Sequence, residues 1–552
     1  MWDPAIAGQV LAALFFVTIL VVLMFGYIVA WTLGGLAVMF GLLGWWIGAF
    51  DPALFQGLAS RFFGVITNPV LIAVPLFIFM GVVLERSKIA EVLLTTMGQL
   101  FGSIRGGLGI SVVIVGTLLA ASTGVVGATV VAMGLLALPA MMRAGYDPKL
   151  ATGVICAAGT LGQIVPPSTV LIFVADILQG ANAAAQLAKG NFAPDTVSVG
   201  DLFAGAFIPG IGLAVIYALW VIFRAAVDPK CAPALVMTAE ERAGLGRRVV
   251  VALIPPLALI VAVLGSIIAG VATPTESASV GSMGALLLAI IKLLADRYLK
   301  GHSPADLEKN LFFFWIGFLA LIGVIVWLGG AFGLLTMLLV MIVAAMVPVV
   351  ASAELRRDFF ETLFESSKGT MTITSMVFVI LLGASAFALV FTRMGGEDLV
   401  RGFLATMPGG QTGAVMLVMT IMFVLGFFLD TFEIIFITVP ITAPILIMMN
   451  VDPILLGVLI GLVLQTSFLT PPFGFALFYL RGVAPPSITT SMIYRGIVPF
   501  VIMQVMVVML VWAQPKLATG LPNYLFRQSE AQKKNGAPPP AFNSDQPESD
   551  GG

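Results

Sequence analysis

Apolar residues run in stretches of about twenty along most of the chain, as from Val10 to Ala30 and from Val249 to Ala269. Each matches the roughly 20 residues a helix needs to cross a bilayer. The pattern predicts about twelve spans, centred near residues 19, 40, 76, 165, 212, 259, 285, 320, 341, 382, 466 and 502. Two further apolar stretches, 107–143 and 412–450, carry small or polar residues at their middles: AASTGVVG at 120–127 and GFFLDTFE at 426–433. Too short for two crossings, each reads as a re-entrant hairpin with its tip near the midplane. The stretches 85–105 and 354–369 mix charges with apolar residues at helical spacing, the pattern of amphipathic helices lying along an interface.

The predicted span at 165 contains GTLGQIVPPS (159–168). Two prolines break a helix there, because each lacks an N–H and collides with the carbonyl four residues back. In hydrocarbon such a break is tolerated where it lines a cavity or faces protein. LQTSFLTPPF at 464–473 repeats the feature at an offset of 305 residues. The same offset lays Pro139 on Pro444, Asp147 on Asp452 and Pro148 on Pro453. The repeat covers roughly 75–178 and 380–483. Its two copies begin on spans 3 and 10, an odd number of crossings apart, so they enter from opposite sides. Inverted repeats of this kind place solute and ion sites at broken helices near the midplane.

Loop charge gives an orientation. With spans alternating and hairpins returning to the side they left, 19 of the 27 Lys and Arg fall on one side and 8 on the other. The positive-inside rule makes the richer side cytoplasmic and puts both termini outside.

The double prolines free the carbonyls of Gly162 and Gln163 in one copy and of Ser467 and Phe468 in the other. Unwound carbonyls are ligands for hard cations such as Na⁺. Ser122 and Thr123 at the first tip, with Asp430 and Thr431 at the second, are placed to complete such shells. Gly124, Gly127 and Gly162 allow close backbone approach. A carboxylate at membrane depth, Asp430, costs several kcal/mol and marks function. Glu433, one turn on, either shares that site or points to the interface. The plainer reading is a proline kink in a packed helix, with Ser122 and Thr123 bonded to their own backbone. Asp176 and Arg481, at equivalent places, read first as interfacial residues.

Composition narrows the rest. Hydrophobic residues make up 60% and charged residues 10% of 552, against roughly 25% charged in soluble domains. The net charge of −1 gives no basic surface for nucleic acid. One histidine and two distant cysteines, Cys156 and Cys231, build no metal or disulfide framework. No P-loop is visible. An intramembrane enzyme would have only Asp430 with Asp176, so the chain is read as no enzyme. A channel would not need two hairpins closing the midplane from opposite sides. No basic segment precedes the first apolar run, which argues against a cleaved signal peptide.

LFIFMGVVLERSKIAE (76–91), residues 127–153, GTLGQIVPPS, TPTESASVG (273–281), DTFEIIFITVPITAPI (430–445) and LTPPFGFALF (469–478) together resemble the large membrane subunit of the tripartite ATP-independent periplasmic (TRAP) transporters. The resemblance covers most of residues 5–515 and is nearest the branch labelled mannitol/chloroaromatic-type. It implies an all-α, elevator-type carrier with two hairpins and two broken helices, in a bacterial inner membrane. It also implies sodium-driven import of small organic acids, 2-oxo or hydroxy acids among them. The implied partners are a periplasmic substrate-binding protein and a separate small four-helix membrane subunit. The alternative is a stand-alone sodium–carboxylate symporter of a related fold.

The implied division is scaffold spans with a first arm helix (1–105), a first transport repeat (106–180), scaffold spans (181–294), a two-span insertion (295–352), a second arm and span (353–410), a second transport repeat (411–483), a last span (484–513) and a disordered tail (514–552). One sodium site maps onto Ser122 and Thr123 with Gly162, Val165 and Pro167. The other maps onto Asp430, Ser467, Thr470 and Pro472, with Gly383 and Ser385 nearby. Solute contacts map onto Thr123, Gly124, Thr160, Ser168, Thr431 and Thr466. Ser467 stands where many members have glycine.

Overall fold

The computed structural model describes residues 3–234 apart from 125, residues 244–299, and residues 338–527 apart from 340, 344, 348 and 351. Among these residues the regular structure is helical. Helices α1 (Pro4–Met24), α2 (Val29–Trp46), α3 (Gly57–Ile66), α4 (Pro69–Arg86) and α5 (Ile89–Gly102) precede a hairpin of α6 (Gly107–Thr123) and α7 (Val126–Arg143). Helix α8 (Pro148–Thr160) runs into one tight turn, Leu161–Gln163, then the double proline, then α9 (Thr169–Ala188). Next come α10 (Val199–Val227), α11 (Leu245–Ile268) and α12 (Pro274–Leu299). The long α13 (Ala353–Arg393) and short α14 (Gly396–Ala405) lead to the second hairpin, α15 (Gly410–Leu425) and α16 (Thr431–Met448). Helix α17 (Pro453–Leu469), the second double proline and α18 (Phe475–Val483) follow, then α19 (Thr490–Ala513) and α20 (Lys516–Pro522).

The two repeats fold alike. The 305-residue offset carries α7 onto α16 end for end, and the first residue of α8 onto that of α17. The local cause is visible at the start of α8 and α17. Asp147 accepts from the Lys149 N–H at 3.0 Å and Asp452 from the Ile454 N–H at 2.8 Å, each followed by proline at the first helical position. An Asp cap with proline next is a strong helix start.

Eleven described helices are long and apolar enough to cross a membrane. The hairpin arms α7 and α16 are among them, because 18 residues rise about 27 Å. Length alone therefore does not separate an arm from a span. The span expected near 320 lies outside the described residues, as does most of the 295–352 insertion. Of that insertion, Leu338 packs against Val280 and Leu287 of α12.

Two sets of helices pack closely within themselves, and contacts of α4 with α6 and α9 and of α13 with α16 join them. Helices α2, α4, α12 and α13 pack on one another. The Ser282 hydroxyl of α12 donates to the Leu76 carbonyl of α4 at 2.8 Å. The hairpins and broken helices pack together, and α10 and α19 pack with them. Within the segment 181–294 expected to be scaffold, α12 packs on α4 whereas α10 packs on α6 and α9, and the expected last span, α19, packs on α8. Tyr217 of α10 stacks edge-on against Phe500 of α19 at 5.2 Å, and both are fully buried.

Two expectations are corrected. The second arm is no separate interfacial helix: residues 354–369 are the first turns of α13, which continues unbroken for 41 residues. No proline interrupts it, and its length of about 60 Å is twice the hydrocarbon thickness. The tail begins later than 514, since α20 is helical with Ala518 and Thr519 buried and packs against α10. Apolar residues among the polar ones there supply a buried face.

Candidate functional site

Each hairpin tip is seated on its own break. At the first break, Gly162 lies so close beneath α6 that a Cβ there would sit 2.6 Å from the Ala120 carbonyl oxygen. Gly124 ends α6 in the left-handed region, φ +61°, where glycine is favoured. Its carbonyl accepts from the Thr169 hydroxyl at 3.4 Å. At the second break, a Cβ on Gly426 would lie 2.0 Å from Ser467 Oγ. The Pro166–Pro167 and Pro471–Pro472 bonds are both cis.

The repeats then interlock. The second arm of each hairpin packs on the helix beyond the other repeat's break: α16 on α9 and α7 on α18. Phe173 of α9 meets Phe432 and Phe436 of α16 edge-on at 5.4 and 5.1 Å. A Cβ on Gly127 would touch the Tyr479 ring at 2.9 Å. At the centre, Gln163 Nε2 donates to Thr431 Oγ1 at 2.7 Å, joining the first break to the second tip. Both residues are buried, and Gln163 Oε1 has no partner. Helices α9 and α16 begin at this junction, just after Ser168 and at Thr431, so their positive dipole ends lie there.

Asp430 caps α16. Its N–H donates to Glu433 Oε2 at 2.9 Å, closing a capping box. Glu433 therefore shares the Asp430 site. Among the described residues neither carboxylate is ion-paired with Lys or Arg. Nor does any group of three His, Cys, Asp or Glu come together. The donors available are carbonyls, hydroxyls and these two carboxylates, a set suited to a hard cation such as Na⁺ rather than to zinc.

The remaining expected residues divide. Val165 is buried at the first break, its N–H donating to the Leu161 carbonyl at 2.9 Å. The Ser168 hydroxyl donates at 3.1 Å to the Gln163 carbonyl that Pro167 releases. Pro472 offers its carbonyl beside the second break, where the Tyr494 hydroxyl donates to it at 2.8 Å. The side chains of Ser122 and Thr123 lie outside the described residues.

Several hydroxyls are committed to their own helices: Thr160 to Ala157 at 2.9 Å, Thr466 to Leu462 at 2.7 Å and Thr470 to Thr466 at 2.6 Å. Thr466 also lines an apolar cleft between α15 and α19. Gly383 is brought to α2 instead, where a Cβ would lie 2.6 Å from the Ala30 carbonyl oxygen. The Ser385 hydroxyl turns back to Leu381 at 2.8 Å. Small residues there serve helix packing.

Sequence reasoning named the Gln163 carbonyl but missed its side chain, and it missed Gly426. The signal for Gln163 was present: an amide side chain two residues before a double proline, in an otherwise apolar segment. Gln163→Leu keeps the volume and removes one buried hydrogen bond, worth about 1 kcal/mol. The transport that the family resemblance implies is expected to fall roughly fivefold, and Thr431→Ser, which keeps the hydroxyl, to stay near wild type. Unchanged uptake in Gln163→Leu would show that the bridge between the repeats is dispensable.

Residues 16–310 and 297–517 match the family model "Tripartite ATP-independent periplasmic transporter, DctM component". The C4-dicarboxylate TRAP transporter large permease protein DctM of Vibrio cholerae is 27% identical over 93% of this chain and 98% of its own length. The ectoine/5-hydroxyectoine TRAP transporter large permease protein UehC of Ruegeria pomeroyi is 25% identical over 89% of this chain and 94% of its own. The YdaH transporter of Alcanivorax borkumensis superposes with a TM-score of 0.48 at 16% identity, over 86% of this chain and 89% of that one. The chain belongs to the DctM component family of the tripartite ATP-independent periplasmic transporters: it is a multi-pass large permease and not an enzyme.

Proposed function

We propose that this permease couples inward sodium movement to the import of small organic acids, delivered by a periplasmic binding protein and assisted by a separate small membrane subunit. The observation that carries this reading is the Gln163–Thr431 bond. It brings both breaks, both tips and the Asp430–Glu433 pair to one junction. One cation sits at the first break, among the Gly162 and Val165 main chain and the first tip. The other sits at Asp430 with the carbonyls of Ser467, Thr470 and Pro472. The bound charges and the N-termini of α9 and α16 draw in an anion without Lys or Arg. Relatives named for C4-dicarboxylates and for ectoines fit a small solute bearing a carboxylate.

The hairpins enter from opposite faces of the inner membrane, with both termini outside. The unit of hairpins, broken helices, α10 and α19 moves against α2, α4, α12 and α13. The hydrogen bond from Asn68 Nδ2 at the start of α4 to Asp176 Oδ1 on α9, 2.7 Å, crosses between these groups. Each sodium ion brings about 2.3 kcal/mol per 100 mV of membrane potential. Its concentration ratio adds roughly 1.4 kcal/mol per tenfold.

Uptake by vesicles carrying both membrane subunits tests the reading. Transport is expected only with sodium outside and the binding protein present. Uptake at full rate in potassium would remove the coupling. Full uptake in sodium without any binding protein would favour the stand-alone symporter.

A further inference from the structure

One cleft takes no part in the junction. It opens between the end of α4, the second half of α12 and the first half of α13, with a volume of about 190 Å³. Arg86, Lys88 and Lys292 line it together with one acid, Asp296, which pairs with Lys292. Glu85 sits beside Arg86 but outside the lining. The lining thus carries a net charge of about +2 by simple count. Among the described residues Arg86 and Lys88 take part in no ion pair. Ser366, also in the lining, is fully buried, and its hydroxyl oxygen has no hydrogen-bond partner. That hydroxyl, beside the cleft, has its hydrogen-bonding capacity available to a ligand there. Phe359 and the apolar faces of α12 and α13 complete the wall.

Cations at the rim, an apolar wall and a hydroxyl at the base form the receptor for a phosphate diester joined to acyl chains. Loop charge puts this end of the bundle at the cytoplasmic leaflet. We propose that the cleft binds one anionic glycerophospholipid. The phosphate is held by Arg86, Lys88 and Lys292, and the Ser366 hydroxyl donates to a phosphate or ester oxygen. The acyl chains lie along Phe359. Because α4, α12 and α13 pack as one group, the lipid braces the part of the carrier that stands still.

The full chain purified in detergent tests this by its thermal midpoint during titration with phosphatidylglycerol, phosphatidylcholine or inorganic phosphate. Phosphatidylglycerol is expected to raise the midpoint at low concentration, and the other two are not. Lys88→Asn, at an exposed position with φ 59° that asparagine tolerates, should need roughly fivefold more phosphatidylglycerol. Adding Lys292→Gln should multiply that again by roughly five. Equal response to phosphatidylcholine, or an unshifted titration in both variants, overturns the site. A full response to inorganic phosphate overturns the lipid assignment and leaves a free-anion site.

Discussion

Asp430→Asn is expected to lower sodium-driven uptake by about 100-fold while leaving the thermal midpoint close to wild type. Asparagine caps a helix as well as aspartate does, so α16 keeps its start. In the proposed coupling, what is lost is the negative charge that holds a cation at membrane depth, an interaction worth a few kcal/mol. Glu433→Gln keeps an oxygen for the Asp430 N–H and removes the second charge, so its effect should be smaller. Sodium-binding calorimetry on the purified complex checks the cause, because the variant should lose sodium affinity before any solute is added. Near-normal sodium activation in Asp430→Asn would take that residue out of the site.

Gly426→Ala should be the most damaging single-methyl change in the second hairpin. The new Cβ would stand 2.0 Å from Ser467 Oγ and 2.7 Å from Ser467 Cβ. The tip must lift from its break, and overpacking of this kind costs roughly 1–3 kcal/mol. Uptake is expected to drop at least tenfold, in line with that cost. Ser467→Gly in the same chain removes both colliding atoms and should restore most of the activity. The Ser467 side chain is bonded to the Leu464 carbonyl at 2.8 Å, whereas the proposed site uses its main-chain oxygen, which the second change leaves in place. If the double variant stays as slow as Gly426→Ala, the seating of tip on break does not explain the loss.

The sequence carried the repeat clearly because its signals are local. Prolines, Asp caps and interrupted apolar runs act within one or two helical turns, and the offset that aligned them matches α7 to α16 end for end. Relations between helices left weaker traces. Residues 354–369 showed the charge pattern of an interfacial arm, and nothing local revealed that α13 continues straight through it. Val199–Val227 looked like any other span, and only packing joined it to the hairpins. Gly383 reads as a site residue because small residues serve both ion sites and close helix contacts, and its close approach to Ala30 of α2 has no trace in the sequence. Gln163 lay in the quoted motif, yet its partner Thr431 is 268 residues away.

The central claim is that the two repeats are inverted partners entering from opposite faces. Arg143 at the base of the first hairpin and Gln411 at the base of the second are both exposed, and both native cysteines are buried. Single Arg143→Cys and Gln411→Cys variants, treated in intact cells with a thiol reagent that cannot cross the inner membrane, test the claim directly. Labelling of Gln411→Cys at once, and of Arg143→Cys only after the membrane is opened, is the predicted result. Labelling of both from the same face would contradict it.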